Sequence, residues 1–201
     1  MLWVVYKRIF IYNADMSRPK KIPNEDIVEA VAELLGREGP AGLTFAAASA
    51  ATGLSPATLV QRYGNREALM RAALLWMWDN ADRQTAEADA TQPIDAEGAI
   101  ALLVRLSAGY GSGDEAAQGL LLLREDFRDP VLRARGVAWH AALAAALGRR
   151  LSDDPERQAQ LGSLMAAQWQ GIVLWWGFSR DGTLRGHLRR ELHAWLDSLR
   201  P

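Results

Sequence analysis

Few residues in this chain are of a type and spacing that could perform covalent chemistry. Histidine stands only at 140, 187 and 193. None has the H-E-x-x-H spacing that puts two imidazoles and a carboxylate on one helix face. His187 and His193 lie among arginines near the C-terminus and read as surface residues. Cysteine is absent, which removes disulfides, thiolate metal sites and a cysteine nucleophile. The glycine-rich stretch Gly109-Tyr110-Gly111-Ser112-Gly113 fits neither the P-loop nor the dinucleotide fingerprint. It follows no strand that would aim its amides at a phosphate. No G-x-S-x-G elbow occurs. The expectation is a chain without an enzymatic activity, cofactor or metal.

The spacing that does stand out runs from Leu43 to Leu69, LTFAAASAATGLSPATLVQRYGNREAL. Thr44 can cap a helix through the alanine-rich Phe45 to Ala51. Thr52-Gly53-Leu54 makes a tight turn, where Gly53 supplies the positive φ that a side chain resists. Ser55 and Pro56 then start a second short helix, with proline at the first helical position, where a missing N–H costs nothing. Ala47, Ala50 and Ala51 are small enough for close helix approach, and Leu54 and Leu59 point to a shared core. The second helix is left to expose Ala57, Thr58, Gln61 and Arg62, short or polar side chains that fit a major groove. This is helix-turn-helix architecture, in which the second helix reads bases and the first crosses the backbone.

The rest of the chain must position that motif. It has 201 residues, 49% hydrophobic and 23% charged, with a net charge of −1. That suits one or two domains with a self-sufficient core. A near-neutral chain confines any nucleic-acid surface to a local patch. Alanine and leucine dominate and β-branched residues are sparse, so the expectation is all-α, with about nine helices and no strands. The first starts with Asn24 as cap, carries Ile27, Val28, Val31, Leu34 and Leu35 on one stripe, and ends at Gly36 or Gly39-Pro40. Asn65 caps a fourth, reaching about Ala88. Later helices cover about 96–107, from Ser112 onward, 130–151, 155–178 and 184–199. The opening run MLWVVYKRIFIY is too short to span a bilayer and lacks a signal-peptide order. It reads as a mis-called start ahead of the polar tail at Met16. Three regions follow: an N-terminal extension over 1–21, the helix-turn-helix over 22–70, and a helical domain over 71–201.

Over residues 24 to 75 the chain resembles the TetR family of bacterial regulators. The matching features are Leu34-Leu35, Gly39, Thr44, the turn Thr52-Gly53-Leu54-Ser55, Tyr63 at the end of the recognition helix, and Arg66-Glu67-Ala68-Leu69 opening the fourth helix. Departures are Val60, where the family commonly has an aromatic residue, Ala57 for a glycine, Arg62 for a histidine and Arg66 for a lysine. The resemblance implies a dimeric, cytoplasmic transcriptional regulator, a repressor released from double-stranded operator DNA by a small-molecule effector, with no membrane partner. It assigns base-edge contacts to Thr58 and Gln61, and apolar contact to Pro56 and Ala57. Phosphates fall to Thr44, Ser55, Arg62 and Arg66, and Lys20 and Lys21 to a basic arm. Tyr63 reads as core.

Beyond residue 75 the likeness is one of layout. It implies an effector site drawn from Tyr110, Arg124, Trp139, His140, Gln168 and Trp169, apolar with a few polar groups. It implies a dimer interface on the last two helices, through Leu161, Leu164, Met165, Ile172, Trp175, Leu188, Leu192 and Trp195, which recur at helical spacing. The rival reading is a helical small-molecule-binding or interaction protein that does not touch DNA.

Overall fold

The computed structural model describes residues 22–108 and 113–199, with the backbone alone described over 113–117. Among the described residues there are nine helices and no strand: α1 (Asn24–Gly42), α2 (Phe45–Thr52), α3 (Pro56–Tyr63), α4 (Arg66–Thr91), α5 (Ala96–Leu106), α6 (Gly113–Arg128), α7 (Pro130–Leu151), α8 (Pro155–Ser179) and α9 (Leu184–Ser198). The extension over 1–21, with Lys20 and Lys21, lies outside the described residues, as do Tyr110 and Ser112. None of the described helices is long and apolar enough to cross a membrane.

Short polar side chains set most of the helix starts. Thr44, Ser55, Asn65, Asp95, Asp129, Asp154 and Thr183 each accept a first-turn backbone N–H, satisfying donors that the helix itself leaves open. The start of α1 differs from expectation. Pro23 holds the cap position without a side-chain bond, and Asn24 lies inside the first turn, where its Oδ1 accepts from Arg62. The end of α1 also differs. Gly39 interrupts it at φ 69°, ψ −179°, and one further turn, Pro40–Gly42, follows the kink. Gly36 sits buried inside the helix instead of ending it. α4 outruns its expected end by three residues, to Thr91.

Helices α1 to α4 enclose one end of the core around Ile27, Val31, Leu35, Leu59 and Leu69. The other end is built on the antiparallel pair α7 and α8, which glycine lets approach closely. A Cβ at Gly162 would fall 1.9 Å from the Ala144 carbonyl oxygen, and one at Gly148 would fall 2.3 Å from that of Gln158. Between the helices runs a line of indoles. Trp78 and Trp139 have centroids 5.8 Å apart, and Trp139 and Trp169 6.3 Å apart. Each donates its N–H to a buried acceptor: Asp126 at 3.2 Å, Thr85 at 3.0 Å and Ser107 at 2.9 Å respectively. Large apolar rings are thus buried with their one polar atom satisfied.

α4 joins the two ends and is tied down along its length. Arg71 pairs with Asp129. Arg135 reaches Asp79 at 2.6 Å and Asp82 at 2.8 Å. Near the C-terminal end of α4, the fully buried guanidinium of Arg150 binds Asp89 at 2.5 Å and the carbonyls of Asp89, Gln92 and Pro93.

Candidate nucleic-acid interface

The motif from Thr44 to Arg66 folds as two short helices around a left-handed glycine. Gly53 has φ 70° and ψ 4°, and its N–H closes α2 on the Ser49 carbonyl at 2.9 Å. Thr52 reinforces the turn, since its hydroxyl donates to Ala48 O and accepts from Leu54 N. Leu59 is fully buried and fixes the roll of α3 about its own axis. That roll leaves Pro56, Ala57, Val60 and Gln61 exposed, at positions i, i+1, i+4 and i+5, on one outward face.

The sequence reading fares differently at each of its DNA-contact residues. Pro56, Ala57 and Gln61 share the outward face. Thr58 is half-buried, and its hydroxyl lies 2.9 Å from Ser55 Oγ, so it supports the cap of α3 as well as flanking the face. Val60 belongs to the face although it is expected only as a departure from the family's aromatic residue and not as a contact. Its position one turn after Pro56, and next to the inward Leu59, is the signal that would have found it. Thr44 and Ser55 accept from Ala47 N at 3.0 Å and Thr58 N at 3.2 Å, and the Thr44 hydroxyl retains a proton to donate.

The two arginines carry an additional load. Arg62 donates to the Ile22 carbonyl at 2.7 Å and to Asn24 Oδ1 at 3.3 Å, fastening the last turn of the recognition helix to the entry of α1. Arg66 donates to the Leu43 carbonyl at 2.6 Å and to the Pro40 carbonyl. It thereby ties the start of α4 to the turn after the α1 kink. Such charge-assisted bonds to carbonyls brace the fold. Tyr63 packs against the core as expected. Burial pushes its hydroxyl pKa up, against the opposing charge of Arg62.

Charge is segregated over this end of the molecule. Residues 44–66 include no Asp or Glu. Glu67 follows at once in the first turn of α4, beside Arg66, and further carboxylates lie on α1, where Glu29 titrates above the ordinary range because of burial and then its neighbours Glu33, Asp26 and Glu25. An acid-free α3, flanked by the hydroxyls of Thr44 and Ser55 and by arginines, suits a phosphate backbone.

At the other end, the described effector candidates take different places. Trp139 and Trp169 are core side chains with satisfied N–H groups, because their ring size serves packing between α4, α7 and α8. Arg124 turns to solvent beside Glu125. His140 is half-buried and Gln168 exposed, with Gln168 on the rim of a shallow groove between α8 and α9 that also involves Trp175 and His187. The dimer-face expectation divides too. Met165, Ile172, Leu188 and Leu192 are buried within the chain, since α9 closes the monomer core against α8 and α5. Leu161 and Trp195 are half-buried. Leu164 and Trp175 are exposed, and Leu174 and Phe178, which the reading left out, join them. Trp175 is 67% and Phe178 74% exposed, with rings 5.4 Å apart.

No protein-family model and no curated protein matches the chain. Solved structures do. A TetR family transcriptional regulator, PfmR from Thermus thermophilus, superposes with a TM-score of 0.59 at 18% identity, over 87% of this chain and 99% of its own. A protein from Saccharomonospora viridis, described as a transcriptional regulator and solved in complex with choline, gives 0.66 at 22% identity, over 86% and 94%. The multidrug binding protein EbrR, solved with imidazole, gives 0.57 at 21% identity, over 88% and 96%. The chain has the all-α fold of TetR-family transcriptional regulators.

Proposed function

We propose that this chain is a TetR-type transcriptional regulator that binds a pseudo-palindromic operator as a homodimer and answers to a small molecule. The observation that carries the reading is the outward face of α3, acid-free and set by a left-handed Gly53 and a buried Leu59. α3 enters the major groove. Gln61 offers the bidentate amide that suits adenine, and Ala57 and Val60 offer apolar contact to a thymine methyl. Thr44, Ser55 and the amides at the starts of α2 and α4 hold phosphates. Arg62 and Arg66 hold the frame and direct their remaining donors to the backbone. Lys20 and Lys21, which precede Ile22 in the sequence, serve as a basic arm to the DNA backbone.

The exposed stripe of Leu164, Trp175 and Phe178 on α8 is the dimer face, and pairing there sets two α3 helices about one helical turn of DNA apart. Two structural neighbours were solved with small molecules, choline and imidazole, which supports an effector. The effector releases DNA only if it binds the two states with different affinity. The dimer is a cytoplasmic repressor, and its action is binding without catalysis.

The test is selection of operator sequences from random duplexes, followed by anisotropy on the winning site. Gln61→Ala should lose about 1–3 kcal/mol of discrimination at the base it reads, with affinity for unrelated DNA unchanged. Equal loss on every sequence would remove Gln61 from base reading.

A further inference from the structure

A second cavity lies away from both the recognition helix and the α8 stripe. It opens where α5, the C-terminal end of α8 and the start of α9 meet, and it has a volume of about 700 Å³. That is ample for a small organic molecule. Val104 and Leu184 give it apolar walls, while Arg105, Arg185 and Arg189 line it with positive charge. Among the described residues no carboxylate lines it. Arg105 is held at one side by Glu87 at 3.1 Å and Thr91 at 2.9 Å. Arg185 and Arg189 stand one turn apart on α9, and neither has a hydrogen-bond or ion-pair partner among the described residues.

Trp176 adds an independent observation. It lines the cavity, is 6% exposed, and its Nε1 is buried without an acceptor. The three indoles in the core line all have one. An indole N–H donates and never accepts, and a buried donor left unmet is unfavourable. The start of α9 faces the same space through Thr183, Leu184 and Arg185, and first-turn amides carry the positive end of the helix dipole. The two arginines and the indole N–H therefore offer a ligand donors and positive charge.

We propose that this cavity binds an organic anion with an apolar body, its acid group on Arg185 and Arg189 and its apolar part against Val104 and Leu184. Guanidinium forks match a carboxylate or sulfonate bidentately. Its role as the effector site rests on the regulator reading above; binding itself does not. Gln92, which follows α4 and whose carbonyl Arg150 holds, lines the cavity as well, so an occupant bears directly on the end of the connecting helix.

The probe is 1-anilinonaphthalene-8-sulfonate, with uncharged N-phenyl-1-naphthylamine as its control, titrated by fluorescence against the full chain without DNA. The sulfonate should saturate at one site per chain and bind at least about tenfold tighter than the control, as a charge-assisted pair requires. Arg185→Gln with Arg189→Gln should weaken it by about tenfold or more and leave the thermal midpoint unchanged. Ala101→Phe, which fills the cavity from α5, should abolish saturation, and Trp175→Ser, on the separate α8 stripe, should leave it intact. Equal affinity for both probes, no saturable site, or binding lost only in Trp175→Ser would overturn the proposal. Because DNA is absent, saturable binding beside a failure to bind any DNA would keep this site and remove the regulator reading.

Discussion

Asp126 shows how single residues set terms that packing alone does not. Its carboxyl is 3% exposed and accepts the Trp78 N–H. Burial raises its pKa from 3.8 to about 6, with the Trp78 bond pulling the other way and Asp129 and Glu125 adding to the rise. A raised carboxyl pKa means that the folded chain holds a proton the unfolded chain has released. Stability therefore falls as pH rises from about 3.8 to about 6, and the loss is complete above that window. Asp126→Asn keeps an acceptor for Trp78 and removes the charge. It should raise stability at pH 7.5 by about 1–3 kcal/mol, and the gain should vanish near pH 4. A gain independent of pH, measured by denaturant titration at both values, would contradict the assignment. The residue scale also marks where sequence reading stops. Thr44, Ser55 and Asn65 were legible as caps because a cap acts within three residues of itself. The bonds of Arg62 to Ile22 and of Arg66 to Leu43 and Pro40 cross 40, 23 and 26 positions, and no local pattern announces them.

Helices were legible because their signals are local: Asp-Pro starts at 129 and 154, glycine after α2, and apolar residues at helical spacing. What local signals leave open is which of two apolar stripes on a helix turns inward. On α8, Met165, Ile172 and Trp176 face the core, while Leu164 and Trp175 face out. Both sets satisfy the same period, so the expected interface mixed them. α9 misled in the same way, since Leu188 and Leu192 close the monomer. Trp139 and Trp169 looked like pocket residues because aromatic content alone does not separate a cavity wall from a core. The element pair that fixes this end of the molecule is α7 with α8. Gly162→Ala would place a methyl against the Ala144 carbonyl and force the helices apart. The expected loss is about 1–3 kcal/mol, read as a lower midpoint in thermal unfolding. A change within error would mean that the helices have slack that the geometry denies them.

For the whole molecule, the proposed function requires two heads held at a fixed separation. α4, braced by Arg71, Arg135 and Arg150, connects each head to the domain that carries the α8 stripe. Trp175→Glu puts a charge at the centre of that stripe. It should shift the mass in solution at micromolar concentration from dimer to monomer, as loss of an aromatic anchor of at least about 2 kcal/mol implies. Operator affinity should fall with it, while binding to a single half-site persists. A dimer that survives the change would move the interface elsewhere. If the acid-free face of α3 meets phosphate and base, binding to the selected operator must respond steeply to salt. Affinity should fall linearly on a log–log plot, by about three orders of magnitude or more between 50 and 200 mM salt. The operator should keep its preference over scrambled DNA throughout. Binding that ignores salt, or no binding to any duplex, would contradict it and leave the helix-turn-helix as a scaffold for the domain behind it.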